Sequence, residues 1–176
     1  MSENTLQNKK VAILSTNGFE DSELTGPREA VEAAGATAVV VAPEAGTIEG
    51  KKGANVDVDL TTAEANAADF DALILPGGTG NADQIRMDEA AVAFVRELTQ
   101  AGKPVGVICH GGWILTDADA LRGVRMTSYP SLKTDLKSAG AEWVDEEVVA
   151  DKQIISSRTP DDLPAFNKAI VEEFAK

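Results

Sequence analysis

The sequence predicts an α/β domain: a mostly parallel sheet with helices on both faces, plus a small β arm. Three observations predict it. Short runs rich in Val, Ile and Leu recur without polar alternation, as strands buried on both faces do. Helical segments separate those runs, which is the pattern of a right-handed βαβ chain. Glycine-rich or acidic turns follow three of the runs, where an open parallel sheet places its sites.

Taken in order, residues 1–9 are polar and read as a flexible N-terminal tail before a single domain over 10–176. Lys10 to Ser15 is the first buried strand. Asp21 or Ser22 can cap a helix that runs to about Ala34, with Pro27 near its start and Gly35 at its end. Thr37 to Ala42 is the second strand. From Pro43 to Leu60, Gly46, Gly50 and Gly53 punctuate an alternating stretch, Asn55 to Leu60, which reads as a hairpin arm with one wet face. Thr62 to Ala68 reads as a short helix and Asp71 to Leu75 as a buried strand.

Asp88 to Ala101 is an amphipathic helix stopped by Gly102. Pro104 to Ile108 is the next strand, and His110 to about Ala120 the helix after it. Arg125 to Ser128 reads as a strand, Pro130 to Ala139 as a helix, and Glu142–Val144, Val148–Val149 and Gln153–Ser156 as short strands. Thr159-Pro160-Asp161-Asp162 combines a cap, Pro at the first position and acids in the first turn, so it opens a last helix.

Composition narrows the function. A chain of 176 residues suits one sizeable core. Its formal charge of −13 argues against nucleic acid or an anionic membrane as partner, since both need a basic face. No apolar run approaches the roughly 20 residues of a membrane helix. The polar start, Met1 to Lys10, lacks the apolar core of a signal peptide. A single cysteine forms no internal disulfide, and the cytoplasm is the expected compartment. One Cys and one His do not make a zinc site without several carboxylates, so no metal is expected.

That cysteine and that histidine are neighbours, Cys109 and His110, at a strand-to-helix turn containing Gly111 and Gly112. Such a turn resembles the nucleophile elbow, and a helix N-terminus there would lower the thiol pKa. If the sheet is parallel, Asn17-Gly18-Phe19-Glu20, Pro76-Gly77-Gly78 and Cys109-His110-Gly111 converge on one crevice. Glu20 would then sit beside the thiol as a protonated carboxyl, and the N–H groups of Gly77 and Gly78 could bind an oxyanion. Triads that place their base well upstream or downstream of the thiol are excluded, because His110 is the only imidazole. Consecutive residues at a helix start point in different directions, so sequence alone does not set His110 on the sulfur. Each residue also has a plainer reading: a buried cysteine as a small apolar side chain, a surface histidine, and Glu20 as one helix-start acid among Asp21 and Glu23.

Four segments together resemble the PfpI family of the ThiJ/PfpI superfamily, which contains intracellular proteases, general stress proteins and deglycases. They are Asn17 to Leu24, Leu75-Pro76-Gly77-Gly78, Ile108-Cys109-His110-Gly111 and Ser156 to Leu163. The resemblance runs from about Lys10 to the C-terminus. It implies a flavodoxin-like three-layer sandwich, no cofactor, and a homo-oligomer, dimer or hexamer. It also implies Cys109 as nucleophile, Glu20 as the neutral acid, and an oxyanion hole from the N–H groups of Gly78 and His110. Asp83 of a neighbouring subunit would orient His110, and Gly77, Gly111 and Tyr129 would form the pocket rim. Two departures stand out: Gly112-Trp113 replaces a common Pro, and Thr79-Gly80-Asn81-Ala82 is one residue longer than in some relatives.

Three functions follow. The first is repair of reactive carbonyls: a thiol with a neutral acid beside it suits the chemistry, and the resemblance implies methylglyoxal, glyoxal or glycated protein and peptide adducts as substrates. The second is peptide hydrolysis by Cys109, His110 and the neighbour's acid. The third is a redox sensor or stress chaperone acting through oxidation of Cys109.

Overall fold

The computed structural model describes residues 4–176. Its strands are β1 (Lys10–Leu14), β2 (Thr37–Ala42), β3 (Thr47–Glu49), β4 (Asn55–Asp57), β5 (Leu60–Thr61), β6 (Ala72–Leu75), β7 (Val105–Ile108), β8 (Arg125–Met126), β9 (Glu142–Trp143), β10 (Val148–Asp151) and β11 (Ile154–Ser157). The helices are α1 (Asp21–Ala33), α2 (Thr79–Ile85), α3 (Glu89–Gln100), α4 (Trp113–Asp117), α5 (Lys133–Ser138) and α6 (Leu163–Phe174). The main sheet runs β10-β11-β7-β6-β1-β2-β5 and is parallel throughout, except that β10 lies antiparallel to β11.

The strands are apolar on both faces because both faces are covered. Val11 and Ile13 of β1 pack with Leu24 and Val31 of α1 and Phe166, Ile170 and Phe174 of α6. Ala12 and Leu14, pointing the other way, belong to the core that also holds Phe94, Val95 and Leu98 of α3, Ile114 and Leu115 of α4 and Leu136 of α5. The result is the expected flavodoxin-like sandwich. Gly106 in β7 is required by that packing, since a Cβ there would meet Cγ2 of Ile170 at 2.7 Å.

Several local expectations change. Of the tail predicted over 1–9, residues 1–3 lie outside the described residues, and 4–9 are fastened. Leu6 is fully buried and its N–H donates to the Ala34 carbonyl at 2.8 Å. A hydrophobic anchor of that kind is invisible in a polar stretch until its socket exists. The helix expected over Thr62–Ala68 is reduced to a 3-10 turn, Ala67–Asp69, capped by Asn66. The helix after β7 is preceded by a 3-10 turn, Cys109–Gly112, and spans only Trp113–Asp117. Helix α2 follows the Gly77-Gly78 turn directly, although Thr79-Gly80-Asn81 has weak helix propensity. The arm is the antiparallel β3–β4 hairpin.

Candidate active site

Strand β7 ends at Ile108, and the chain turns sharply at Cys109, whose φ of 61° lies in the left-handed region. A non-glycine residue there is strained, and such strain clusters at functional sites. The turn packs tightly on the end of β6: a Cβ on Gly111 would meet the Leu75 carbonyl oxygen at 2.5 Å. The Tyr129 N–H donates to the Cys109 carbonyl at 3.1 Å and ties the turn to the chain before α5.

The conformation of Cys109 brings its neighbour back onto it. Sγ lies 3.3 Å from Nδ1 of His110, a contact that the chain order alone did not reveal. The imidazole is buried and stacked on Tyr129, with ring centroids 4.6 Å apart, while Trp113 meets it edge-on at 5.5 Å. Its Nε2 faces hydroxyls, Ser131 Oγ at 3.3 Å and Thr79 Oγ1 at 3.5 Å. Burial, then the charge of Lys51, lowers the His110 pKa, so the ring is neutral at physiological pH.

The expected carboxyl must be reassigned. Glu20 is buried but binds Lys51 Nζ at 2.9 Å and Lys52 Nζ at 3.0 Å. Burial pushes its pKa up, yet those two lysines outweigh it and hold Glu20 below the ordinary carboxylate range, as an anion. The carboxyl beside the thiol is Glu23, one helical turn further on. It is fully buried, and its Oε1 accepts the Gly77 N–H at 3.0 Å. Its Oε2 has no hydrogen-bond partner among the described residues. Burial, then the Glu20 charge, raises the Glu23 pKa to about 7, against the opposing pull of the Gly77 N–H, Lys51 and Cys109. The signal for Glu23 was present in the sequence: it falls in the buried stripe of α1 with Leu24, Pro27 and Val31, where a charge needs a reason.

The lysines come from the arm. Both carboxylate oxygens of Asp21 accept backbone N–H groups of the hairpin, Lys52 at 3.1 Å and Ala54 at 3.0 Å, so Asp21 clamps the arm instead of capping α1. Glu20 occupies the cap position without a side-chain cap bond. The Lys51 N–H reaches the Phe19 carbonyl at 2.9 Å. No sequence spacing pointed to Lys51, Thr79 or Ser131, which arrive from separate elements.

The thiol itself departs from expectation. Cys109 is only 9% exposed, and the helix behind it is a single short turn. Burial, then the charge of Glu23, pushes its pKa up to about 12, while the N–H groups of His110 and Gly78 and the charge of Lys51 pull it down. Field lowering by a helix terminus is therefore not what activates it. The proton on Glu23 matters more. Once Glu23 is protonated, its repulsion of the thiolate disappears and its O–H can donate to the sulfur.

The backbone N–H groups of Gly78 and His110, expected to form an oxyanion hole, are among the groups that lower the Cys109 pKa. The three expected rim residues divide. Tyr129, 39% exposed, covers the His110 ring by stacking on it. Gly77 and Gly111 are buried and form the floor: a Cβ on Gly77 would strike Oε1 of Glu23 at 2.3 Å, and Gly111 underpins the turn from below. Asp83 is exposed on α2. Among the described residues no cluster of His, Cys, Asp and Glu has the makings of a metal site, and no helix is long and apolar enough to cross a membrane.

The model of the DJ-1/PfpI family matches residues 9–173. Over 163 residues the chain is 48% identical to protein/nucleic acid deglycase 2 of Escherichia coli, a match covering 91% of this chain and 94% of that protein. It is 46% identical over 163 residues to general stress protein 18 of Bacillus subtilis, again covering 91% and 94%. Among solved structures, a two-domain protein of Anabaena variabilis containing DJ-1/ThiJ/PfpI-like and ferritin-like domains superposes with a TM-score of 0.91 at 38% identity. That match spans 94% of this chain and 48% of the Anabaena protein. With family motifs in order from end to end and the fold shared throughout, the chain belongs to the DJ-1/PfpI family.

Proposed function

We propose that this chain is a cofactor-independent deglycase-type enzyme that repairs reactive carbonyls, with Cys109 as nucleophile and Glu23 as proton shuttle. One observation carries the reading: a buried carboxyl with a pKa raised to about 7 sits beside the only thiol. A group of that pKa can both take and return a proton at physiological pH. The E. coli relative is named as a deglycase.

The steps balance as follows. Glu23 or His110 takes the thiol proton, and sulfur adds to the aldehyde carbon of methylglyoxal. The carbonyl oxygen takes up a proton, giving a hemithioacetal. The Gly78 and His110 N–H groups stabilise the developing oxyanion. Glu23 removes the proton from that carbon and delivers one to the adjacent carbon, leaving a thioester. Water cleaves the thioester, freeing lactate and the thiol. For a hemiaminal adduct, the C–N bond breaks first, the hydroxyl proton passing to the departing amine, and sulfur adds to the aldehyde so freed. Lactate release from methylglyoxal-treated peptide tests this. Wild type should form lactate and Cys109→Ser none; full activity in Cys109→Ser overturns it.

A second reading, peptide hydrolysis, is favoured by the 3.3 Å contact between Sγ and His110 Nδ1. A neutral imidazole there can take the thiol proton and then, as imidazolium, give it to the leaving amine. Unmodified peptide, cleaved at a rate matching lactate formation, would favour hydrolysis. We place the working assembly as a homo-oligomer in the cytoplasm, in which Asp83 of a neighbouring subunit approaches His110 Nε2.

A further inference from the structure

Asn81 is 99% buried on the first turn of α2 and touches neither Cys109 nor Glu23, yet its side chain is fully engaged. Nδ2 donates to two successive backbone carbonyls, Pro76 at 3.2 Å and Gly77 at 3.1 Å. Oδ1 accepts the Thr16 N–H at 2.8 Å, from the turn after β1. Two acceptors on one side and one donor on the other allow a single orientation of the amide.

A trans peptide is planar, with its C=O and N–H pointing in opposite directions. Fixing the Pro76 carbonyl therefore aims the Gly77 N–H, which meets Glu23 Oε1 at 3.0 Å. Fixing the Gly77 carbonyl, also held by the Glu20 N–H at 3.3 Å, sets the direction of the Gly78 N–H, one of the groups that lower the Cys109 pKa. Both residues must be glycine. A Cβ on Gly77 would strike Glu23 and Cys109, and Gly78 has a φ of 91° with the Gly18 carbonyl oxygen 2.4 Å from any Cβ. Two consecutive glycines rotate freely unless something holds them. A flip of either peptide would turn a carbonyl oxygen onto the carboxyl or the sulfur.

We propose that Asn81 is a positioning residue that locks both peptide planes, so that one N–H holds the Glu23 carboxyl and the next holds the reactive sulfur. It acts through the backbone and touches no reacting atom. The proposal deepens the nucleophile reading given above, and its test does not depend on that reading.

Iodoacetamide is the probe, because Cys109 is the only thiol. Asn81→Asp keeps the acceptor for Thr16 and replaces both donors with an acceptor; Asn81→Ala removes everything. Folded Asn81→Asp and Asn81→Ala should alkylate about tenfold more slowly at pH 8, the effect of one lost hydrogen bond to a charged group. In the lactate assay kcat should fall more than KM. Leu98→Ala, a core cavity in α3, is the control: it should lower Tm and leave the alkylation rate unchanged. A folded Asn81→Asp protein alkylated at the wild-type rate overturns the proposal. Should neither variant fold, proton exchange of the Asn81 side-chain amide in the unmodified protein decides. Protection supports the lock, and exchange at the rate of a free amide overturns it. If Cys109→Ser kept full carbonyl activity, the functional reading would fall and the alkylation result would still judge Asn81.

Discussion

Glu23 and Cys109 meet over Gly77: a side-chain carbon at that glycine would lie 2.3 Å from Oε1 of the one and 2.7 Å from Cβ of the other. The two groups are 86 residues apart in the chain and share one proton economy. Substitution at this carboxyl separates Glu23 from its neighbour in α1. Glu23→Gln should lower kcat for lactate formation by about 10²–10⁴, the usual share of a general acid–base. Glu20→Gln, which removes the partner of Lys51 and Lys52 and one charge that raises the Glu23 pKa but keeps the Glu23 carboxyl, should cost less. Equal losses in a steady-state assay would return the shuttle role to an undivided pair.

The raised pKa of Glu23 has a stability consequence with a definite sign. Its value rises from 4.5 unfolded to about 7 folded, so the folded protein binds the proton more tightly. The contribution is fully present below pH 4.5 and is lost as pH rises through about 7. The loss is on the order of 3 kcal/mol. Glu20 and Asp162 run the other way: their lowered pKa values stabilise above the unfolded value and fail as pH falls below it. Urea unfolding of Glu23→Gln should therefore show a flatter profile between pH 4.5 and 7 than wild type, and a higher midpoint at pH 8. An unchanged profile would place the proton elsewhere.

Gly78 tests the oxyanion-hole turn. Its φ of 91° and the lack of room beside Gly18 and Glu20 make Gly78→Ala cost roughly 2–4 kcal/mol by urea unfolding and abolish lactate formation. Gly123 also has a positive φ, 72°, but open space around it. Gly123→Ala should cost about 1 kcal/mol and leave activity intact.

The shared-site proposal predicts complementation. Asp83→Asn and Cys109→Ser should each be inactive as pure oligomers. Mixed after dissociation and reassembly, they should recover activity, because a Cys109 site in one subunit then receives an intact Asp83 from the other. A mixture that stays inactive, with hybrid oligomers verified by native mass spectrometry, removes Asp83 from the mechanism.

Local pattern carried much of this protein. Uniform apolarity of the strands encodes burial on both faces, and the turn residues mark where the sheet ends, so the sandwich, the three converging turns and the position of Cys109 were legible from the chain. What separated Glu23 from Glu20, set His110 against the sulfur and buried the thiol was tertiary packing. Which of two buried glutamates three residues apart faces the thiol depends on how α1 packs against α6, β1 and β2, and Lys51 meets Glu20 from an arm that Asp21 clamps. Protonation behaves likewise: a carboxyl has its ordinary pKa in the sequence, and burial beside another charge exists only once the chain has folded.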